Sequence, residues 1–373
     1  MSRAPLFLLC LLIAGPQLAR AQTDPFAATN ARIRPLIMRQ RKDAAEGLRP
    51  SVCYRHCSTC LRGARILRVI RGRDARATSS VAMKETLPIG IFDSGVGGLT
   101  VYRALHEQLP NERFIYLGDT ARVPYGTKSL STVERYAVEN ARFLAAHGIK
   151  LLVVACNTAS ALALPAIRAA LKIDVIGVIG PGARAAAVDL RRQAGGNGTV
   201  AVIATESTIQ SGAYRKAIIK ADPQAEVIER SCPLFVPLAE EGWADNEVAR
   251  TIAETYLQDL RSRVDTLVLG CTHYPILRKV IRSAVGDEVR LIDSGEATAA
   301  EVKLLLNEKG LARLTLPTGA LERHLCDDLD HFYVTDAAER FSRVAERFLS
   351  TKPSRLEAVE VWGEDKLIDS LTH

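Results

Sequence analysis

Two cysteines fall in matched surroundings. Leu151-Leu152-Val153-Val154-Ala155-Cys156-Asn157-Thr158 and Thr266-Leu267-Val268-Leu269-Gly270-Cys271-Thr272-His273 are each a short apolar run that ends in Cys and continues into small polar or titratable residues. About one domain length of chain separates them. A thiol has a reference pKa of about 8.5, so both of its protonation states are accessible near neutral pH. Two thiols on opposite sides of a cleft, one ionised and one protonated, can take a proton from one face of a carbon centre and return one to the other. Exchanging their states runs the reaction backwards. A helix beginning directly after each cysteine would favour the thiolate. Either cysteine alone reads as an ordinary buried residue; the matched pair is what points to chemistry.

Other residues fit beside them. Asp93-Ser94-Gly95-Val96-Gly97-Gly98 follows the first apolar run of the main body. Glycines at such a turn let backbone N–H groups approach an anionic ligand, although a plain tight turn has the same composition. The segment lacks the Lys-Ser/Thr ending of a phosphate loop and the full dinucleotide pattern. Asp93 suits a helix cap, an acceptor for a substrate ammonium, or a group that orients a thiol. His273, two residues after Cys271, suits assistance to the thiol, a carboxylate contact, or a structural role. Glu240 and Glu241 follow Pro233-Leu234-Phe235-Val236-Pro237-Leu238-Ala239. Beside that apolar wall a carboxylate would be tuned; on a solvated helix face it would not. Cys232 and Cys326 read as non-catalytic.

The elements that must position these groups alternate in type. Apolar runs at 88–92, 113–117, 151–155, 174–178, 199–204, 225–229, 266–270 and 289–292 read as strands covered on both faces. Helical patterns fill the gaps, which is the signature of a parallel α/β architecture. The clearest helix spans 131–147, with Ser131 and Glu134 as a capping box and Gly148 as its stop. Ligand sites in such sheets lie beyond the carboxyl ends of the strands. Two domains, each offering a strand-end Cys, place one thiol on either side of a shared cleft.

Composition bounds the rest. With 373 residues, 47% apolar and 24% charged, the chain has material for about two globular domains. No run is long and apolar enough for a membrane-spanning helix. The net charge of +7 is uneven: residues 1–82 carry 14 Arg and 1 Lys against 4 acids, which leaves the remainder mildly acidic. That body shows no basic stripe, so no nucleic-acid partner is expected. The first 21 residues look like a secretory signal, with Arg3, an apolar run from Leu6 to Ala14 and Ala19-Arg20-Ala21. Against it stands Met83, just ahead of the first strand and where a start codon would sit. The expectation is that 1–82 is an upstream extension from a misassigned start, with an exported leader as the alternative. Cys53, Cys57 and Cys60 have the spacing of a cluster-binding loop, and His56 offers a zinc alternative, but a different fold follows the loop and the expected reading is chance cysteines in an unstructured leader.

Taken together, Ile91-Phe92-Asp93-Ser94-Gly95-Val96-Gly97-Gly98-Leu99, Pro124-Tyr125-Gly126, Ala155-Cys156-Asn157-Thr158-Ala159 and Gly270-Cys271-Thr272-His273-Tyr274-Pro275 resemble the glutamate racemases in order and spacing. The resemblance covers about 87–350. It implies two similar flavodoxin-like α/β domains with mainly parallel sheets facing a central cleft. The expected layout is a leader over 1–86, a first domain of 87–180 plus about 293–350, a second of 181–292 and a tail of 351–373. It also implies interconversion of L- and D-glutamate for peptidoglycan, with neither pyridoxal phosphate nor metal. By motif, Cys156 and Cys271 are the two bases. Asp93, Glu240 and His273 support them. Asp93, Ser94, Tyr125, Gly126, Asn157, Thr158, Thr272 and His273 contact substrate. The implied partners are glutamate and, as an assembly to be tested, a homodimeric copy; no membrane is involved. Reactive thiols favour the cytoplasm.

One segment departs from the family. Its Gly-Thr-x-Gly-Thr pattern stands here as Ala204-Thr205-Glu206-Ser207-Thr208, which puts the roles of Thr205 and Thr208 in question. Two rivals remain. An aspartate racemase of the same superfamily would typically carry Thr-Glu after its second cysteine, where this chain has Thr272-His273. A non-catalytic amino-acid-binding protein would not need two thiols facing its ligand.

Overall fold

The computed structural model of the protein describes residues 84–193, 198–313 and 323–362. The signal-like start, the triplet Cys53, Cys57 and Cys60, and Met83 lie outside the described residues. Within them the chain alternates strand and helix as its apolar runs predict. It begins with β1 (Ile89–Asp93), α1 (Leu99–Gln108), β2 (Phe114–Gly118), α2 (Leu130–Ala146), β3 (Leu151–Val154), α3 (Asn157–Leu162), α4 (Leu164–Ala170) and β4 (Asp174–Gly177). It continues with α5 (Ile179–Gln193), β5 (Thr199–Ala204), α6 (Glu206–Gln210), α7 (Ala213–Ala221), β6 (Glu226–Ser231), α8 (Phe235–Glu240), α9 (Glu247–Leu257), β7 (Thr266–Gly270), α10 (Arg278–Val285) and β8 (Arg290–Asp293). Last come α11 (Ser294–Glu308), β9 (His331–Val334), α12 (Ala338–Leu349) and β10 (Leu356–Ala358).

These strands form two sheets, one ordered β10-β9-β2-β1-β3-β4 and the other β6-β5-β7-β8. Every pairing is parallel. Parallel strands need helical crossovers that cover both faces, and the central strands β1, β3 and β7 are accordingly buried along their whole length. The mixed α/β class with parallel sheets is therefore the one expected. Helix α11 packs against α1 on the first sheet and against α5, which leads into the second.

All eight expected strands are present, with ends moved by at most a residue or two. Two more, β9 and β10, join the outer edge of the first sheet. They are short, and β10 is largely exposed, so neither has the unbroken apolar run that marks a central strand. Residues read as a tail beyond 350 thus supply the edge strand. Val361 is buried, and the Trp362 ring lies 5.5 Å from the Arg122 guanidinium carbon. The start of α2 also differs. Ser129, not Ser131, is the cap: its extended backbone lets the hydroxyl accept from Thr132 N–H at 3.4 Å, while Ser131 and Glu134 already lie inside the helix.

Candidate active site

The site grows from the carboxyl ends of four adjacent central strands. In the first sheet β1 and β3 pair with Phe92 opposite Val154, which brings Ser94 and Cys156 together just beyond the ladder. In the second, β5 and β7 pair with Ala204 opposite Gly270, which does the same for Thr205 and Cys271. Between the two sets lies a cavity of about 250 Å³. Cys156 and Cys271 both line it, with Ser94, Tyr125, Gly126, Asn157, Thr158, Glu240, Thr272 and His273. Of the residues expected at the site, Asp93 alone is missing from the lining. It sits just behind, 1% exposed at the end of β1.

The glycines of the first turn serve a close approach. A Cβ on Gly97 would lie 2.3 Å from Thr272 Oγ1 and 2.4 Å from His273 Cε1, so only glycine lets the first turn meet the residues after Cys271. Gly98 likewise admits the Asp93 side chain. Asp93 Oδ2 accepts from Gly95 N–H at 2.9 Å. Its Oδ1 has no partner, and neither has Asn157 Nδ2, although Tyr214 donates to Asn157 Oδ1 at 2.7 Å. Buried polar atoms are rarely left this way.

Each thiol has its own company. Cys156 caps α3, accepting from Ala159 N–H at 3.4 Å, and its thiol donates to Ser94 Oγ at 3.3 Å. Burial and then the nearby Asp93 carboxylate push this thiol up to about 12, against the smaller pull of Ser94 and Ala159. The helix start was expected to favour the thiolate; here desolvation outweighs it. Burial also raises Asp93, opposed by His273 and the N–H groups of Gly98 and Gly95. Cys271 Sγ instead stands 3.8 Å from His273 Nδ1, and His273 Nε2 is 3.1 Å from Glu240 Oε1. Burial pulls His273 down, but its hydrogen bonds to Cys271 and Glu240 more than reverse this and hold the ring at about 10. Glu240 is lowered by the same hydrogen bond from His273. Arg340 Nη2 reaches Glu240 Oε2 at 3.3 Å, and Arg347 donates to the Glu240 carbonyl.

Tyr125 enters the site through its ring. Its hydroxyl donates to Asp119, which is fully buried and also accepts from Asn140, Thr335 and Arg122. The ring therefore walls the cavity while the polar end is held in a network behind it.

This arrangement has counterparts. The Asp/Glu/Hydantoin racemase family matches the chain over residues 89–302. A glutamate racemase of Geobacter metallireducens is 56% identical over 277 residues, covering 74% of this chain and 97% of the relative. The chain belongs to the Asp/Glu/Hydantoin racemase family. Among solved structures of its relatives, a glutamate racemase of Francisella tularensis in complex with D-glutamate matches with a TM-score of 0.65 and 38% identity, covering 74% of this chain and 98% of that one. A glutamate racemase of Thermus thermophilus matches with a TM-score of 0.64 and 43% identity over the same shares.

The racemase cavity also contains residues that sequence reasoning passed over. Val123, Thr127, Pro233, Val236 and Pro237 line it, as do Thr205 and Glu206. Thr205 was visible as part of the departing 204–208 segment. The apolar wall from Pro233 to Pro237 was visible as the run leading to Glu240. Val123 and Thr127 carry no chemical signal of their own. Thr158, Thr205 and Thr208 join their hydroxyls pairwise at 3.0 to 3.2 Å, linking α3 to α6. Among the described residues no group of three or more His, Cys, Asp or Glu is placed to hold a metal ion, and no helix is long and apolar enough to cross a membrane.

Proposed function

We propose that this amino-acid racemase interconverts L- and D-glutamate by a two-base mechanism, with Cys156 and Cys271 as the bases. The observation that carries the reading is that two free thiols, each just past the end of a strand and the strands in different sheets, line one cavity. One thiolate takes the α-proton from the amino acid and becomes a thiol. The other thiol gives its proton to the opposite face of the carbanion and becomes a thiolate. Atoms and charge balance, and the enzyme is left in the state that runs the reverse direction. The protein's share is to hold both sulfurs in place and to stabilise charge as it develops.

The supporting groups divide between the walls. The high thiol of Cys156 suits it to begin as the proton donor. His273, protonated at neutral pH and backed by Glu240, holds a proton at Cys271 sulfur. Asn157 joins the substrate wall, and Asp93 acts from behind it on the Cys156 thiol. Ser94, Tyr125, Gly126, Thr158 and Thr272 complete the substrate wall. The relatives' names favour glutamate over aspartate. The product would feed peptidoglycan synthesis in the cytoplasm. Pyridoxal phosphate and metal play no part in this scheme, and a homodimer is its working assembly.

The test is racemisation in deuterated water under reducing conditions without added cofactor. Deuterium at the α-carbon of newly formed D-glutamate supports the reading. Exchange on aspartate alone would replace the substrate, and no exchange on either from folded protein would overturn it.

A further inference from the structure

The segment in which this chain departs from its family lies across the cavity from a turn of the first sheet. Ser207, in the first turn of α6, takes the place of a family glycine. Its hydroxyl donates to the carbonyl of Gly126. Gly126 belongs to the short 3-10 turn Tyr125–Thr127, which follows β2 in the first sheet, whereas α6 follows β5 in the second. The bond therefore ties the two walls of the cavity together at residues flanking its lining. Thr205 presses on the same turn: a Cβ added to Gly126 would meet Thr205 Cβ at 3.3 Å. A second bond, from Lys128 N–H to the Tyr125 carbonyl at 3.1 Å, closes the turn on itself. Tyr125 is already fixed through its hydroxyl. The Gly126–Thr127 peptide is thus the part of this wall whose orientation depends on the opposite side.

We infer that Ser207 is a positioning residue that pins the Tyr125–Thr127 turn over the cavity and tightens substrate binding. The inference rests on the proposed reading of the cavity as the glutamate site. With the hydroxyl in place, the Gly126 carbonyl is occupied and turned toward α6. A free carbonyl at the cavity edge would present its negative end to a substrate that carries two carboxylates. A glycine at 207, as in the family pattern, leaves that peptide free to rotate and also loosens the start of α6. A single hydrogen bond of this kind contributes about a factor of three to ten.

The experiment compares full-chain wild type with Ser207→Gly, Ser207→Ala and Ser207→Thr, measuring kcat and KM for glutamate. Backbone hydrogen exchange is followed in the peptide covering 123–130, with the β7 strand as internal reference. The expected result is a KM raised about threefold to tenfold in the Gly and Ala variants, with kcat within twofold. Exchange in 123–130 should quicken while β7 stays unchanged, and Ser207→Thr should restore both. An unmoved KM, or unmoved exchange in 123–130, overturns the inference. A wild type inactive on glutamate would strike at the proposed substrate instead, and the exchange comparison would still decide whether Ser207 pins the turn.

Discussion

The wall that carries Cys156 and the wall that carries Cys271 use the same backbone device for different electrostatic ends. Both cysteines follow a buried parallel strand and are about equally buried, at 5% and 6% exposure. Around Cys156 stand a hydroxyl, a backbone N–H and a carboxylate, none of which supplies a proton readily. Around Cys271 stand an imidazole, the carboxylate behind it and an arginine behind that. Under the proposed two-thiol reading, a reaction that is symmetric about its carbon is flanked by unequal proton reservoirs. The lesson is that matched placement of two thiols does not require matched tuning, because a strand end fixes the sulfur while its neighbours set the charge.

The largest test of this comparison removes the sulfurs one at a time. Cys156→Ala and Cys271→Ala should each lower racemisation by on the order of a thousandfold or more. Each variant should still exchange the α-hydrogen of one enantiomer with solvent deuterium, and the two should keep opposite enantiomers. Retention of the same enantiomer by both would break the two-wall picture. Next, His273→Asn should cost about a hundredfold and Asp93→Asn about tenfold. With an equilibrium constant of one, kcat/KM must fall equally from L- and D-glutamate, but kcat measured separately from each should show the two losses weighted toward opposite directions. Equal losses of kcat in both directions would mean that the neighbours serve the cavity as a whole.

A smaller effect sharpens the Cys271 side. Glu240→Gln removes a group that raises His273, so the alkaline limb of kcat/KM should move to lower pH. Activity at pH 9 should fall about threefold to tenfold. The same pair links to stability. His273 binds its proton more tightly in the folded chain, so its contribution is complete below its unfolded value of 6.5 and is lost as pH rises through about 10. Thermal midpoints followed across that window should fall less steeply in Glu240→Gln than in wild type. Smallest of all, Arg340→Ala should change kcat/KM by about threefold or less, because its guanidinium is well exposed and screened by water.

Much of this was legible in the sequence because central parallel strands must be apolar on both faces. That requirement writes β1, β2, β3, β5 and β7 as apolar runs and marks the residues directly after them as site candidates. Cys156, Cys271, Ser94 and His273 were found in this way. What escaped had a physical reason. β10 lies at the sheet edge and is short and largely exposed, while β9, buried between β10 and β2, is only four residues long and opens on His331. The hydroxyl of Tyr125 lies in a network behind the wall, where it donates to Asp119 and accepts from Asn140 while Thr335 donates to Asp119, a convergence across more than 200 residues that spacing cannot show. The high thiol of Cys156 reflects burial, which a strand-end motif does not report.

Thr158 and Thr205 at the cavity, with Thr208 buried behind them, have one further consequence. In the triangle of Thr158, Thr205 and Thr208 any hydroxyl can be the donor to its neighbour. The hydrogens can therefore circulate in either sense without moving a heavy atom. A racemase must receive two mirror-image molecules in one rigid space. A ring of rotors that reverses its sense at almost no cost gives a fixed wall two hands.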